Sequence, residues 1–151
     1  MRPPFLDSNI LLRHLTKDDP AQGRACFAVI QALERGELTA WTSELVIAEV
    51  VFVLASKSLY NLDRARVREL VLPLIGLPGL RIPHKRMYDR VFELYATLPI
   101  DYVGAYHAAL IELRGETDIL SYDRHFDRVT GLHRHEPAEA PTPTSHPSEE
   151  P

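Results

Sequence analysis

Three acidic side chains stand where a hard cation could be held. Asp7 lies in FLDSNILLRHL (residues 5–15), at the seam between an apolar run and a helix-like pattern. Asp123 closes DILSYD (118–123), a second apolar stretch, and Glu49 sits in the middle of LVIAEVVFVLA (45–55). In an open α/β sheet, ligands bind at the carboxyl ends of the strands, so Asp7 and Asp123 are expected at one edge. A helix as apolar as 45–55 is expected to be mostly buried. A carboxylate there is costly unless it is paired or bound to a cation. Each residue also has a plainer reading: Asp7 and Asp123 as helix caps, and Glu49 as half of a buried salt bridge to an arginine. Glu44 lies in the first helical turn, where the helix dipole favours a negative charge, and needs no further role. Carboxylates converging without thiolates or paired histidines point to Mg²⁺ or Mn²⁺ rather than zinc. Such ions generate hydroxide from water and stabilise in-line transfer at phosphorus. No GxxxxGK[ST] loop is present, which disfavours a P-loop NTPase. No GxSxG elbow is present, which disfavours an α/β-hydrolase.

The elements that must carry these acids follow from local signals. A short strand is expected at 4–7, then a helix from Ser8 to near His14. Asp19-Pro20 reads as an N-cap and first-turn proline opening a helix to about Arg35. Further helices are expected from Thr42 or Ser43 to 58, from Asp63 to before Gly76, from His84 to about Thr97, and over 101–114. Strands are expected at 39–41, 80–82, 118–123 and near 131–134. Strands alternating with helices favour an α/β class: a parallel sheet with helices on both sides.

The chain has 151 residues, of which 45% are hydrophobic, enough for one domain with a substantial core. Its net charge is −4, and three of its acids fall in the proline-rich end PAEAPTPTSHPSEEP (137–151), which has no Lys or Arg. The organisation expected is one domain over 1–136 and an acidic, proline-rich tail over 137–151, disordered or a remnant of an expression vector. The body is then near neutral, so a nucleic acid would have to be held by a local basic face. The single cysteine, Cys26, excludes an internal disulfide and fits a reducing compartment. The longest apolar run is too short to cross a bilayer, and MRPPFLDSN is no signal peptide, so a cytoplasmic protein without membrane contact is expected.

FLDSNILLRHL, SELVIAEVVFVL, DYVGAYHAALIELRG and ILSYDRHF, in that order, resemble the successive blocks of PIN domains, and most closely the VapC toxins of bacterial toxin–antitoxin pairs. The resemblance covers residue 4 to about 137. It implies a three-layer α/β/α sandwich with a mostly parallel central sheet, and a Mg²⁺- or Mn²⁺-dependent endoribonuclease. By motif matching, Asp7 and Glu49 fall on the first two family acids and Asp123 on the last. Asn9 and Ser121 fall on polar residues that orient the acids and their water, and Asp127 is near enough to add an oxygen. It also implies an RNA substrate, a homodimer, and a cognate antitoxin that blocks the site with an inserted segment.

One position departs from the family pattern. Where the family carries Asp before the Ala-x-x-Ala-Ala helix, this chain has Gly104. Three accounts follow: a naturally degenerate member with weak or no cleavage, a glycine introduced to disarm a toxic product, or Asp101 leaning in as a substitute ligand. The first two are favoured, because an N-cap role explains Asp101. For RNA, Arg13 and Arg124 sit beside the acids where phosphate must arrive, while Lys17, Arg64, Arg66, Arg68 and Arg128 read more plainly as solvated charge. His125 is a candidate proton carrier. His107, in a mostly apolar helix, reads as packing. Two further readings stand beside the enzyme. One is a PIN-fold module disarmed at Gly104 that binds RNA or antitoxin without cleaving. The other is a receiver-type signalling domain, disfavoured because no lysine ends a strand opposite the acids.

Overall fold

A computed structural model describes residues 2–139. Six α-helices and two pairs of parallel strands follow one another: α1 (Ser8–Thr16), α2 (Pro20–Glu34), β1 (Ala40–Trp41), α3 (Glu44–Ala55), α4 (Arg64–Ile75), β2 (Leu80–Arg81), α5 (Tyr88–Thr97), α6 (Tyr102–Leu113), β3 (Asp118–Leu120) and β4 (His133–His135). Short 3₁₀ turns lie at Lys85–Met87, Arg124–Arg128 and Pro137–Glu139. Of the tail expected over 137–151, only the 3₁₀ turn Pro137–Glu139 is described, and 140–151 lie outside the described residues.

Local chemistry explains where the helices begin. Asp19 caps α2 through Gln22 N at 3.0 Å, with Pro20 in the first turn; Asp63 caps α4 through Arg66 N at 2.8 Å. Ser43 caps α3 through Val46 N at 3.3 Å, and Asp101 caps α6 through Gly104 N at 2.8 Å. Each cap satisfies a backbone donor that the first helical turn leaves open. The helix expected from His84 starts instead at Tyr88. His84 has φ +54°, a left-handed backbone that no α-helix can include, and the chain passes through a 3₁₀ turn first.

The strands are parallel, as the alternation of elements requires, but shorter than expected. β1 pairs with β2 in the register Ala40↔Leu80 and Trp41↔Arg81, and Phe5 bridges Trp41 on the other side of β1. The strand expected over 4–7 is thus a single bridge, held by Leu6 N to Trp41 O (2.8 Å) and Trp41 N to Pro4 O (3.0 Å). β3 pairs with β4 as Asp118↔His133 through Leu120↔His135. Gly79 makes the β1–β2 junction possible. A Cβ there would lie 2.1 Å from Leu38 O and 2.8 Å from Leu33 O, so only glycine lets the backbones approach this closely.

α3 is the hub of the helical packing, touching α1, α4 and α6, while α2 covers α1 and α5 lies between α4 and α6. Its Ile47, Val50, Val51 and Leu54 join Leu11, Val67, Tyr88 and Phe92 in one core. Burying each such side chain contributes about 1.5–3 kcal/mol before chain entropy is set against it. No helix among the described residues is long and apolar enough to cross a membrane.

Candidate metal and nucleic-acid site

Asp7 sits at the turn from the Phe5 bridge into α1. It is the N-cap, with Oδ1 accepting from Ser8 N at 2.8 Å, and its side chain is exposed. Asp123 follows β3 and caps the 3₁₀ turn Arg124–Arg128. Its Oδ1 accepts from His125 N at 2.9 Å and lies 2.6 Å from His125 Nδ1. The backbone N–H of His125, and then its ring, hold the Asp123 carboxyl below the usual carboxylate range. Ser121 Oγ accepts from Asp123 N at 3.0 Å, so this hydroxyl shapes the turn that presents the acid. Both caps anticipated for Asp7 and Asp123 are present. A cap uses only one carboxylate oxygen, however, and Asp7 Oδ2 and Asp123 Oδ2 have no hydrogen-bond partner among the described residues.

Glu49 is exposed, contrary to the burial expected from its neighbours. α3 buries Val46, Ile47, Val50, Val51 and Leu54 and leaves Leu45, Glu49 and Phe52 on its open side. Leu45 is 80% exposed and Phe52 71%, so apolar residues occupy positions where a solvated face would show polar ones. The carboxylate therefore carries no burial penalty. The buried salt bridge to an arginine is absent too: Glu49 forms no ion pair among the described residues.

Gly104 is buried in the first turn of α6. A Cβ added there would meet Asp101 Oδ1 at 2.7 Å, Ile100 Cγ1 at 2.8 Å and Ile100 Cδ1 at 3.0 Å. Ile100 packs against the position a Cβ would take, and Asp101 uses the Gly104 backbone N–H as its cap donor. Asp101 also lines a cavity of about 290 Å³ with Phe52, Arg64 and Tyr95. Asp127 gives both oxygens to Arg134, at 2.9 Å to Nε and 3.4 Å to Nη2.

Among the described residues, no three His, Cys, Asp or Glu side chains are gathered closely enough to hold a metal ion. The donor chemistry nonetheless suits a hard cation. Asp7, Glu49 and Asp123 are exposed and each keeps at least one carboxylate oxygen without a protein partner among the described residues, and the one cysteine, Cys26, is buried.

The basic residues divide into used and free. Arg64 is structural: its Nη1 donates to Tyr95 O at 3.0 Å, Leu98 O at 3.2 Å and Ile100 O, and its guanidinium lies 4.7 Å from the Tyr95 ring centroid. Arg66 pairs with Glu69. Arg13 and Arg124 are exposed and form no ion pair among the described residues. Asn9 and Arg13 open on a cavity of about 470 Å³ between α1 and α2, lined also by Gln22 and Cys26. His107 is exposed rather than packed, because α6 turns that side to solvent beside Tyr106.

Three features escaped the sequence. Glu44 fills the first turn of α3 as anticipated, but it also meets His84 Nδ1 at 3.2 Å. Burial, and then the nearby Glu44 carboxylate, push the Tyr88 phenol upward. Arg134 holds Asp127 together with the Ser121 carbonyl, and Phe5, Trp41 and Arg81 stand in one row.

A family model described as PIN domain matches residues 5–132. No curated protein matches the chain.

Proposed function

Because the chain belongs to the PIN domain family, whose members are metal-dependent nucleases, we propose that it is a metal-dependent endoribonuclease and the VapC-type toxin of a toxin–antitoxin pair. The observation that carries this reading is the set Asp7, Glu49 and Asp123. These are three exposed carboxylates from three separate elements, each with at least one oxygen free of protein donors among the described residues. They would hold Mg²⁺ or Mn²⁺; Asp101, whose Oδ1 caps α6, and Asp127, whose oxygens face Arg134, are secondary candidates for an extra oxygen. The ion, when bound, activates water and stabilises charge on the scissile phosphate. Ser121 fixes the turn bearing Asp123, Asn9 flanks Asp7 on α1, and Arg13 and Arg124 attract the phosphate chain. The open apolar side of α3, with Leu45, Phe52 and the neighbouring Val103 of α6, suits a homodimer contact or the antitoxin. A cytoplasmic site of action and a separate tail from 137 belong to the same reading.

A second reading is favoured by Gly104. The position offers no oxygen, its space is taken by Ile100, and the remaining acids are not gathered as a cage among the described residues. On this reading the chain is a PIN-fold module that binds RNA or antitoxin without cutting. Incubation of the full chain with structured RNA and Mg²⁺, alongside EDTA and Asp7→Asn controls, separates the two. Cleavage abolished by EDTA and by Asp7→Asn supports the enzyme; binding without cleavage supports the module.

A further inference from the structure

Register places three unlike side chains side by side. Phe5 bridges Trp41, and Trp41 pairs with Arg81, so the three share one face of the small sheet. The opposite face is buried through Leu6, Ala40 and Leu80. Phe5 and Trp41 are 45% and 49% exposed, with ring centroids 4.7 Å apart at an interplanar angle of 73°. This edge-to-face contact holds the indole upright and leaves ring surface open. Arg81 is exposed and forms no ion pair among the described residues. Beside the row opens a cavity of about 270 Å³, lined by Trp41, Glu44, Arg81 and Pro83. Its one carboxylate, Glu44, is already engaged by His84.

We propose that Phe5, Trp41 and Arg81 form a stacking platform for a base of single-stranded RNA, with Arg81 holding the adjoining phosphate. The proposal rests on the nuclease reading for the identity of the polymer, and on the register row for the site. Two half-open rings present roughly 200 Å², far below the ~800 Å² per partner of a stable protein interface. They do match one base, which stacks on an aromatic face whatever its sequence. A guanidinium without a carboxylate partner adds the charge a phosphate needs. Asp7 lies two residues beyond Phe5 on the same extended segment, about 7 Å along the chain. A strand leaving the acids along this segment therefore crosses the platform.

Trp41 is the chain's only tryptophan, so its emission reports on this site alone. The full chain in EDTA, where no cleavage occurs, is titrated with a short end-labelled oligouridylate while tryptophan emission and label anisotropy are followed together. A saturable quench with the same midpoint as the anisotropy change is expected. Trp41→Ala weakens binding about 5- to 100-fold, and Trp41→Phe stays within about threefold. Arg81→Gln weakens binding and lowers the slope of log K against log salt by about 0.7. The platform is refuted by anisotropy binding that leaves Trp41 emission unchanged, or by no saturable RNA binding at all. An unaltered Kd in a folded Trp41→Ala, with folding checked by circular dichroism, also refutes it. A quench without Mg²⁺-dependent cleavage removes the nuclease reading and leaves the platform, whereas cleavage without a quench does the reverse.

Discussion

The Arg134 guanidinium, on β4, reaches Asp127 on the 3₁₀ turn after β3, with Nε 2.9 Å from Oδ1 and Nη2 3.4 Å from Oδ2. The same guanidinium donates from Nη1 to Ser121 O at 2.9 Å and to Glu136 Oε1 at 3.2 Å. Ser121 and Asp127 flank Asp123 on either side, so one cation ties down both ends of the segment that presents the acid. On the proposed metal reading, Arg134 is a positioning residue for Asp123. Partners that orient a ligand without touching the metal typically alter affinity 10- to 100-fold when removed. Arg134→Gln is therefore expected to weaken Mn²⁺ binding by about tenfold, and Arg134→Lys, which keeps charge but not the fork, to recover part of it. Isothermal titration with Mn²⁺ is the measurement. Unchanged affinity in a folded Arg134→Gln would show that Asp123 is not placed by this clamp.

Gly104 sits in the tightly packed first turn of α6. Replacing it with alanine gains ~1 kcal/mol of helix propensity. The new Cβ, however, meets Ile100 Cγ1 at 2.8 Å and Asp101 Oδ1 at 2.7 Å, and overpacking of this kind costs about 1–3 kcal/mol. Gly104→Ala is thus expected to melt lower than the parent, and adding Ile100→Val to restore part of the loss. Gly104→Asp meets the same crowding but adds a carboxylate, so its Mg²⁺ affinity should rise while its melting temperature falls. Calorimetric melting together with metal titration checks both. Equal affinity for Mg²⁺ in the parent and Gly104→Asp would place residue 104 outside the site.

The helices could be read from the sequence because their caps are local. Asp19, Ser43, Asp63 and Asp101 each accept from a backbone N–H three residues on, and no distant contact is needed. The sheet was harder, since which residues pair depends on backbones brought together by packing. Only Phe5 of the first strand bridges β1, and the β2 junction needs the close approach at Gly79. The burial expected of Glu49 fails because Leu45 and Phe52 are apolar yet exposed, so α3 shows no polar face to betray its open side. The Arg134 clamp was out of reach because it follows from the β3–β4 register, which sets Arg134 against Ile119. Asp7 and Asp123 were legible as caps, since each accepts from a backbone N–H of the turn that follows it. The expectation of an acid at 104 came from resemblance alone, whereas the crowding that a Cβ would meet there follows from Ile100 packing.

His14, on α1, stacks on Phe27 with ring centroids 5.8 Å apart, and its Nδ1 is buried without a hydrogen-bond partner. Burial first, and then the Lys17 charge, lower its pKa. The fold therefore favours the neutral ring. Stability from this ring is fully present above the unfolded value of about 6.5 and is lost as pH falls from there through the lower folded value. The urea midpoint is expected to drop on acidification from neutral pH toward 5, and His14→Phe to flatten that part of the profile. An identical slope in parent and variant would assign the drop to another group.

Arg64 locks the approach to α6. Its Nη1 faces the carbonyls of Tyr95, Leu98 and Ile100, so it satisfies the open acceptors at the end of α5 and fixes the residues that lead to the Asp101 cap. Its planar face lies over the Tyr95 ring at 4.7 Å. Removing a charged donor from partly buried carbonyls costs roughly 1.5–3 kcal/mol, and the stacking adds about 0.5–1 kcal/mol. Arg64→Ala should therefore lower unfolding free energy by about 2–4 kcal/mol. Arg64→Lys leaves a cation among the carbonyls but no flat face for Tyr95, so it should fall between the two. Urea unfolding followed by circular dichroism measures the series. Amide exchange at Gly104 N gives a second reading. If Arg64 sets the geometry of the cap, that proton exchanges faster in Arg64→Ala under conditions where α2 is unchanged. If the cap forms independently of Arg64, both regions keep their parent rates.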